Sequence, residues 1–213
     1  SNLPFRIVGG FTMTAPNGAE SWPVGTTQTI TWNKAGTVAN ANIFYTTNGT
    51  TWTTIKAFAV NGSNTDNGGC TAGAGTGCFK WVIPDTIFTT AKVRVADYND
   101  PAGKDESNAN FDLRADLTLT GPNGSEIWEV GSTRSISWKT VGTVTSVKLE
   151  YSKLGDFTDA VTIVTANNVG ATGACTIPPG DTGCFLWTVP NQVKDNTVKV
   201  RVTDADTGHP AYS

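Results

Sequence analysis

The chain has 213 residues, 23 of them glycine, with only 15% charged side chains and a net charge of −3. Its 15 lysines and arginines are scattered, so there is no basic cluster of the kind a nucleic-acid backbone needs. No apolar run approaches the roughly 18 residues of a membrane span, and no membrane insertion is expected of this segment.

Residues 1–8 open the chain as a short extended segment in which Leu3, Phe5 and Ile7 share one face and Arg6 the other. Alternating apolar and polar positions, bounded by Gly, Pro, Asn and Asp, then predict strands over 10–15, 26–33, 40–47, 51–59, 78–83, 91–97 and 107–113. A second series follows over 116–120, 132–139, 145–152, 160–166, 184–189 and 197–203, one strand fewer. Pro16-Asn17-Gly18 and Pro122-Asn123-Gly124 predict chain reversals after the first strand of each series, and Asn48-Gly49 predicts a hairpin. In Lys92-Val93-Arg94-Val95 and Lys199-Val200-Arg201-Val202 the valines face one way and the basic residues the other, as in a sheet with one dry face.

The two series are copies of each other. Phe11 to Gly18 reads against Leu117 to Gly124, Glu20-Ser21-Trp22 against Glu126-Ile127-Trp128, and Cys78-Phe79-Lys80-Trp81 against Cys184-Phe185-Leu186-Trp187. Seven short strands in about a hundred residues are the count of an immunoglobulin-like sandwich. The expected fold is therefore all-β: two tandem immunoglobulin-like β-sandwiches over 9–114 and 115–213, joined by a very short linker. The first copy closes with Ser107-Asn108-Ala109-Asn110-Phe111-Asp112-Leu113, and the second does not reach a counterpart. A matching segment stands at the other end, Ser1-Asn2-Leu3-Pro4-Phe5-Arg6-Ile7. The second sandwich is thus expected to be completed by residues 1–8 of a neighbouring unit. Leu3, Phe5 and Ile7 would be the inter-subunit anchors, and identical units, head to tail, the partners.

One close cysteine pair falls in each copy, Cys70 with Cys78 and Cys175 with Cys184. Zinc would want shorter spacings or histidine partners, and the single histidine, His209, is remote in sequence. Local disulfides are expected over free buried thiols, and with them an extracellular or cell-surface location.

The run Pro-Asn-Gly-x-Glu-x-Trp-x-Val-Gly at 16–25 and 122–131 leads to Ile-x-Trp, then Trp-x-x-Pro, then Val-Arg-Val-x-Asp, in both copies. This pattern resembles the immunoglobulin-like repeats related to the fungal cell-wall glucan-synthesis and Ser/Thr-rich GPI-anchored proteins, with their bacterial relatives. In that family the domain ends on an Asp-x-Ser-x-x-x-Phe-x-Ile-like strand, which Asp105 to Leu113 matches. The resemblance implies tandem surface modules without catalytic residues, and implies no ligand.

Other candidate sites compete with plainer roles. Six tryptophans recur as pairs, Trp22 with Trp128, Trp32 with Trp138 and Trp81 with Trp187, and are expected in the two cores rather than on a sugar platform. Trp52 follows a hairpin turn and has only Phe157 as a counterpart; packing on the hairpin is expected there over sugar stacking, for which cell-wall or extracellular polysaccharide would be the partner. Asp97, Asn99, Asp100 and Asp105 crowd one loop and are candidate Ca²⁺ ligands, although Asp and Asn also serve there as turn formers. No nucleophile motif, metalloprotease helix or phosphate loop is present, so no enzyme is expected and no cofactor beyond that Ca²⁺. The expected function is a structural unit of a surface filament. An adhesin spacer and a sugar-binding accessory module of a secreted hydrolase are the alternatives.

Overall fold

A computed structural model describes residues 2–60, 68–192 and 197–210. No described residue is helical, and no helix is long and apolar enough to cross a membrane. The chain divides into two compact units, Ser1–Leu113 and Arg114–Ser213. Residues 2–8 were expected to stand apart from the first domain but are grouped with it, and Arg6 pairs with Asp100 at 2.5 Å.

In the first unit β1 (Gly10–Ala15), β3 (Thr27–Ala35) and β6 (Thr76–Val82) form one sheet in the order β1-β3-β6. The facing sheet runs β2-β9-β7-β4-β5, from β2 (Ser21–Pro23), β9 (Phe111–Arg114), β7 (Phe88–Asp97), β4 (Asn40–Thr46) and β5 (Thr53–Val60). A short β8 (Lys104–Glu106) adds to β7. In the second unit β10 (Asp116–Gly121), β11 (Thr133–Val141), β15 (Gly183–Thr188) and β14 (Gly170–Thr172) form a sheet in the order β10-β11-β15-β14. Its partner has three strands, β13-β12-β16, from β13 (Val161–Asn167), β12 (Ser146–Ser152) and β16 (Lys199–Asp204). Both units are immunoglobulin-like β-sandwiches.

The alternation read from the sequence sets each core. Ile30, Trp32, Ile43 and Val95 are buried in the first unit, and Ile136, Trp138, Leu149 and Val202 in the second. Each central indole lies on a glycine of the adjacent strand, Trp32 opposite Gly77 and Trp138 opposite Gly183. A Cβ at Gly77 would meet the Trp32 ring at 2.3 Å, and at Gly183 the Trp138 ring at 2.5 Å, so only glycine lets the ring settle on the backbone. Trp138 Nε1 donates to Asn168 Oδ1 at 2.9 Å, and the Asn168 amide donates onward to the Val144 carbonyl at 3.0 Å, which satisfies the buried indole. Both expected disulfides are formed, Cys70–Cys78 and Cys175–Cys184, each with a Cα separation of 6.2 Å.

Three short strands, β2, β8 and β14, were not expected. The predicted last strand over 107–113 is observed as Phe111–Arg114, while 107–110 are held outside regular strand pairing, Ser107 to Val93 and Pro16, and Asn108 to Asn17. Only Ala115 separates β9 from β10, so the last strand of one sandwich runs into the first strand of the next. Among the described residues the second unit has no counterpart of β2, β8 or β9. Ser1, first residue of the expected donor strand, lies outside the described residues.

Candidate interaction groove

In the first sandwich β9 closes the core. Phe111 is buried with its ring 5.1 Å from Trp22, which packs edge-on to Trp81 at 6.3 Å, and Tyr45 lies 5.1 Å beyond. The backbone ahead of β9 is fastened to the Pro16-Asn17-Gly18 turn. The Ser107 hydroxyl donates to the Pro16 carbonyl at 2.7 Å, and the Asn108 N–H to Asn17 Oδ1 at 2.8 Å. The Ala109 N–H reaches the Asn17 carbonyl at 3.3 Å, the Ala19 N–H donates to the Asn110 carbonyl at 3.4 Å, and the Asp112 N–H donates to the Glu20 carbonyl at 2.9 Å. Residue numbers rise together on both sides, so this segment runs parallel to β2, while it pairs antiparallel to β7 with Ala91 opposite Phe111.

The second sandwich has the same seat without an occupant among the described residues. A groove of about 1070 Å³ opens there, lined by Leu119, Trp128, Tyr151, Trp187, Val189 and Val200 among others. Its aromatic row repeats that of the first unit, Trp128 to Trp187 at 6.1 Å and Tyr151 to Trp187 at 5.2 Å, but no ring among the described residues takes the place of Phe111. Trp128 and Trp187, expected in the core, are only half-buried, since no described residue covers them as Phe111 covers Trp22. Ile127-Trp128-Glu129, equivalent to β2, is not a strand, since its neighbour in the sheet would have been a last strand.

The turn at the groove mouth is nevertheless built. Glu126 accepts the N–H groups of Asn123 at 2.8 Å and Gly124 at 2.7 Å, as Glu20 does for Asn17 and Gly18 at 2.8 Å each. The Asn123 N–H, foremost, holds the Glu126 carboxyl below the usual carboxylate range. The spacing Pro-Asn-Gly-x-Glu carried this clasp in the sequence, where it was read only as a turn. The expected donor residues belong to no strand here, and their side chains face solvent: Leu3, Phe5 and Ile7 are 78%, 77% and 86% exposed.

The remaining candidates sit elsewhere. Arg94 lies 3.7 Å over the Trp52 ring and is held there by Glu106 at 2.7 Å. The same stack recurs as Arg201 over Phe157 at 4.4 Å with Glu150 at 2.8 Å, so one face of Trp52 is already covered by a feature common to both copies. The carboxylates of Asp97, Asp100 and Asp105 do not converge on one point. Asp97 caps the Asn99 N–H, Asp100 accepts Arg6 and the Ala102 N–H, and Asp105 accepts the Met13 N–H on β1. Asp97 and Asp100 thus shape the loop, the turn-forming role weighed against Ca²⁺, while Asp105 ties it to β1.

A convergence that the sequence reading missed is Asp204, Asp206 and His209, whose candidate ligand atoms lie within 4.8 Å of one another. Both carboxylates already accept hydrogen bonds from the protein. Asp206 accepts the N–H of Thr145 at 2.6 Å and of Ser146 at 2.9 Å, and Asp204 accepts the Asp206 N–H at 2.9 Å and faces His209 Nδ1 at 2.8 Å.

No family model matches the chain. No curated protein matches it either. Among solved structures, the Clostridium thermocellum CbhA fibronectin(III)-like modules share 13% identity over 95% of this chain and 89% of theirs, with a TM-score of 0.29. Escherichia coli alpha-2-macroglobulin activated by porcine elastase shares 10% identity over 96% of this chain, with a TM-score of 0.33, and the chain spans 19% of its length. At these scores neither likeness carries weight, and the fold rests on the sandwich geometry itself.

Proposed function

We propose that the chain is a non-enzymatic structural unit of an extracellular filament, joined head to tail by β-strand addition. The observation that carries this is the groove of the second sandwich, which stands where β9 completes the first. The occupant is residues 1–8 of the following unit, whose sequence repeats that of 107–114 with Phe5 at the place of Phe111 and Ile7 at that of Leu113. Burying one such aromatic ring is worth about 1.5–3 kcal/mol, and a last strand adds backbone pairing to it. The same contact serves whether the donor belongs to a separate molecule or to the next repeat of a longer chain. Donor and acceptor are different surfaces, so the contact propagates rather than closing on itself. Two disulfides fit an oxidising compartment, hence the cell surface. Kinship with the fungal cell-wall family and its bacterial relatives, proposed on the series of motifs that runs from Pro-Asn-Gly-x-Glu-x-Trp-x-Val-Gly to Val-Arg-Val-x-Asp in both copies, points the same way.

The test uses a variant lacking residues 1–8 and a synthetic peptide of residues 1–9. The expected result is one-to-one binding with a rise in the unfolding temperature of the second sandwich alone. A peptide that leaves both transitions unmoved at saturating concentration would sink the proposal.

A further inference from the structure

Resting on the strand-addition reading, we infer that the groove takes its strand in a single register, pinned by Pro4 of the strand and read by Asn123 and Gly124 of the groove. The template is the way 108–112 are held in the first sandwich. There the N–H groups of Asn108, Ala109 and Asp112 donate to Asn17 Oδ1, the Asn17 carbonyl and the Glu20 carbonyl, while Asn110 contributes its carbonyl. Carried into the second sandwich, the donors become Asn2, Leu3 and Arg6, and the acceptors Asn123 Oδ1, the Asn123 carbonyl and the Glu126 carbonyl. Pro4 falls on the seat of Asn110, where its carbonyl meets the Ser125 N–H.

Proline lacks an N–H, and that absence discriminates between registers. A slip of one residue turns Phe5 out of the groove and is excluded by the pleat. A slip of two keeps an apolar residue on the aromatic seat, Leu3 or Ile7, so apolar pattern alone does not forbid it. In one direction, however, it places Pro4 on the seat of Asn108, and in the other on that of Asp112. Both seats require an N–H donor. Pro4 thus fits the one outward seat of the three from which the turn takes a carbonyl.

The groove side contributes size selection. A Cβ at Gly18 would lie 2.6 Å from the Ala109 methyl, so glycine there is what admits the strand. Gly124 holds the equivalent place, also with a positive φ, so the absence of a Cβ there likewise admits Leu3 at the seat of Ala109. The ligand is therefore an extended segment of the type Asn-Leu-Pro-Phe-Arg-Ile, with two N–H donors ahead of the proline, and not any apolar strand. Its arrival also gives Ile127-Trp128-Glu129 the neighbour that β2 has in the first sandwich, so these residues join the sheet on binding.

Disulfide trapping reads the register. In the first sandwich Asp112 lies beside Ser21, since its N–H donates to Glu20, and both are half-exposed while Phe111 and Trp22 point inward. The matching pair is Arg6 and Ile127, neither of them an anchor. The chain lacking residues 1–8 and carrying Ile127→Cys is offered peptides of residues 1–9 carrying Arg6→Cys, Val8→Cys, or Val8→Cys together with Pro4→Ala. Neighbours in register have Cα atoms about 5 Å apart, and a two-residue slip moves them to about 8 Å, beyond disulfide reach. Cross-linking is expected through Arg6→Cys, not through Val8→Cys, and to appear through Val8→Cys once Pro4→Ala removes the pin. Asn123→Ala should weaken binding of the unmodified peptide by about three- to tenfold, the loss of one hydrogen bond. Trapping through Val8→Cys as readily as through Arg6→Cys overturns the single register. A Pro4→Ala strand still confined to the original position overturns the role of Pro4, and an Asn123→Ala groove of undiminished affinity overturns that of Asn123. If the unmodified peptide does not bind at all, strand addition itself has failed, a different result from binding without register.

Discussion

Val24 in the first sandwich is 2% exposed, and Val130, its counterpart in the second, is 42% exposed. The two follow the same Pro-Asn-Gly-x-Glu-x-Trp motif and precede the same glycine. What separates them is the strand across the sheet edge: β9, with buried Phe111 and Leu113, lies beside β2 in the first sandwich, whereas Val130 lines the open groove of the second. Burial at these positions is therefore a property of the neighbour in the sheet, and a core residue of one copy becomes a surface residue of the other without a change of side chain. The difference also shows in local conformation, since β2 is a strand only where β9 lies beside it.

The comparison can be broken by mutation, with unfolding followed separately for the two sandwiches because a two-domain chain is not one two-state transition. The largest effect is expected for Phe111→Ala, which should destabilise the first sandwich by about 3–5 kcal/mol, the usual cost of deleting a buried ring. Phe5→Ala, at the equivalent place in the repeat, should leave both transitions of the isolated chain where they were. Equal losses from the two changes would mean that residues 1–8 already fill a core. A smaller contrast is expected for the valines: Val24→Ala should cost about 2 kcal/mol and Val130→Ala no more than about 0.5 kcal/mol.

Acid should produce the mildest change. Five carboxyls with lowered pKa values lie in the second unit: Glu126, Glu150, Asp156, Asp159 and Asp206. For Glu150 burial pushes upward but is outweighed by Lys148 and Arg201; for Asp206 burial is likewise outweighed by Ser146 and Thr145. Asp156 is lowered mainly by the Thr158 N–H and Asp159 by the Ser152 hydroxyl. A carboxyl whose folded pKa is depressed adds stability that is complete above its unfolded value and lost as pH falls through the folded one. The second transition should therefore hold its position above about pH 5 and decline from about pH 4 downward. Glu126→Gln should flatten part of that decline.

Most of the architecture was legible from residues. Period-two alternation located the long strands because each has one dry face, and the cysteine spacing identified both disulfides because a Gly-rich turn brings the thiols together. The short strands β2, β8 and β14 escaped, since three residues carry no period and their conformation is dictated by a partner far along the chain. The groove itself followed from the repeat, but its depth did not. Recurrence assigned Trp128 and Trp187 to the core as if every copy had the same neighbours. In the acidic loop the turn-forming role weighed against Ca²⁺ was legible for Asp97 and Asp100, but the reach of Asp105 to Met13 and of Asp100 to Arg6 was not, because those partners lie more than ninety residues away. Asp204, Asp206 and His209 do meet, because the turn that follows β16 brings the imidazole back to Asp204.

The passage from β9 through Ala115 into β10 has a mechanical consequence. A single residue leaves no slack, so tension applied to the first strand of the second sandwich is handed directly to the last strand of the first. That strand is fastened along its length to two neighbours, β2 on one side and β7 on the other. A pull along the backbone must therefore shear many hydrogen bonds together instead of unzipping them one at a time.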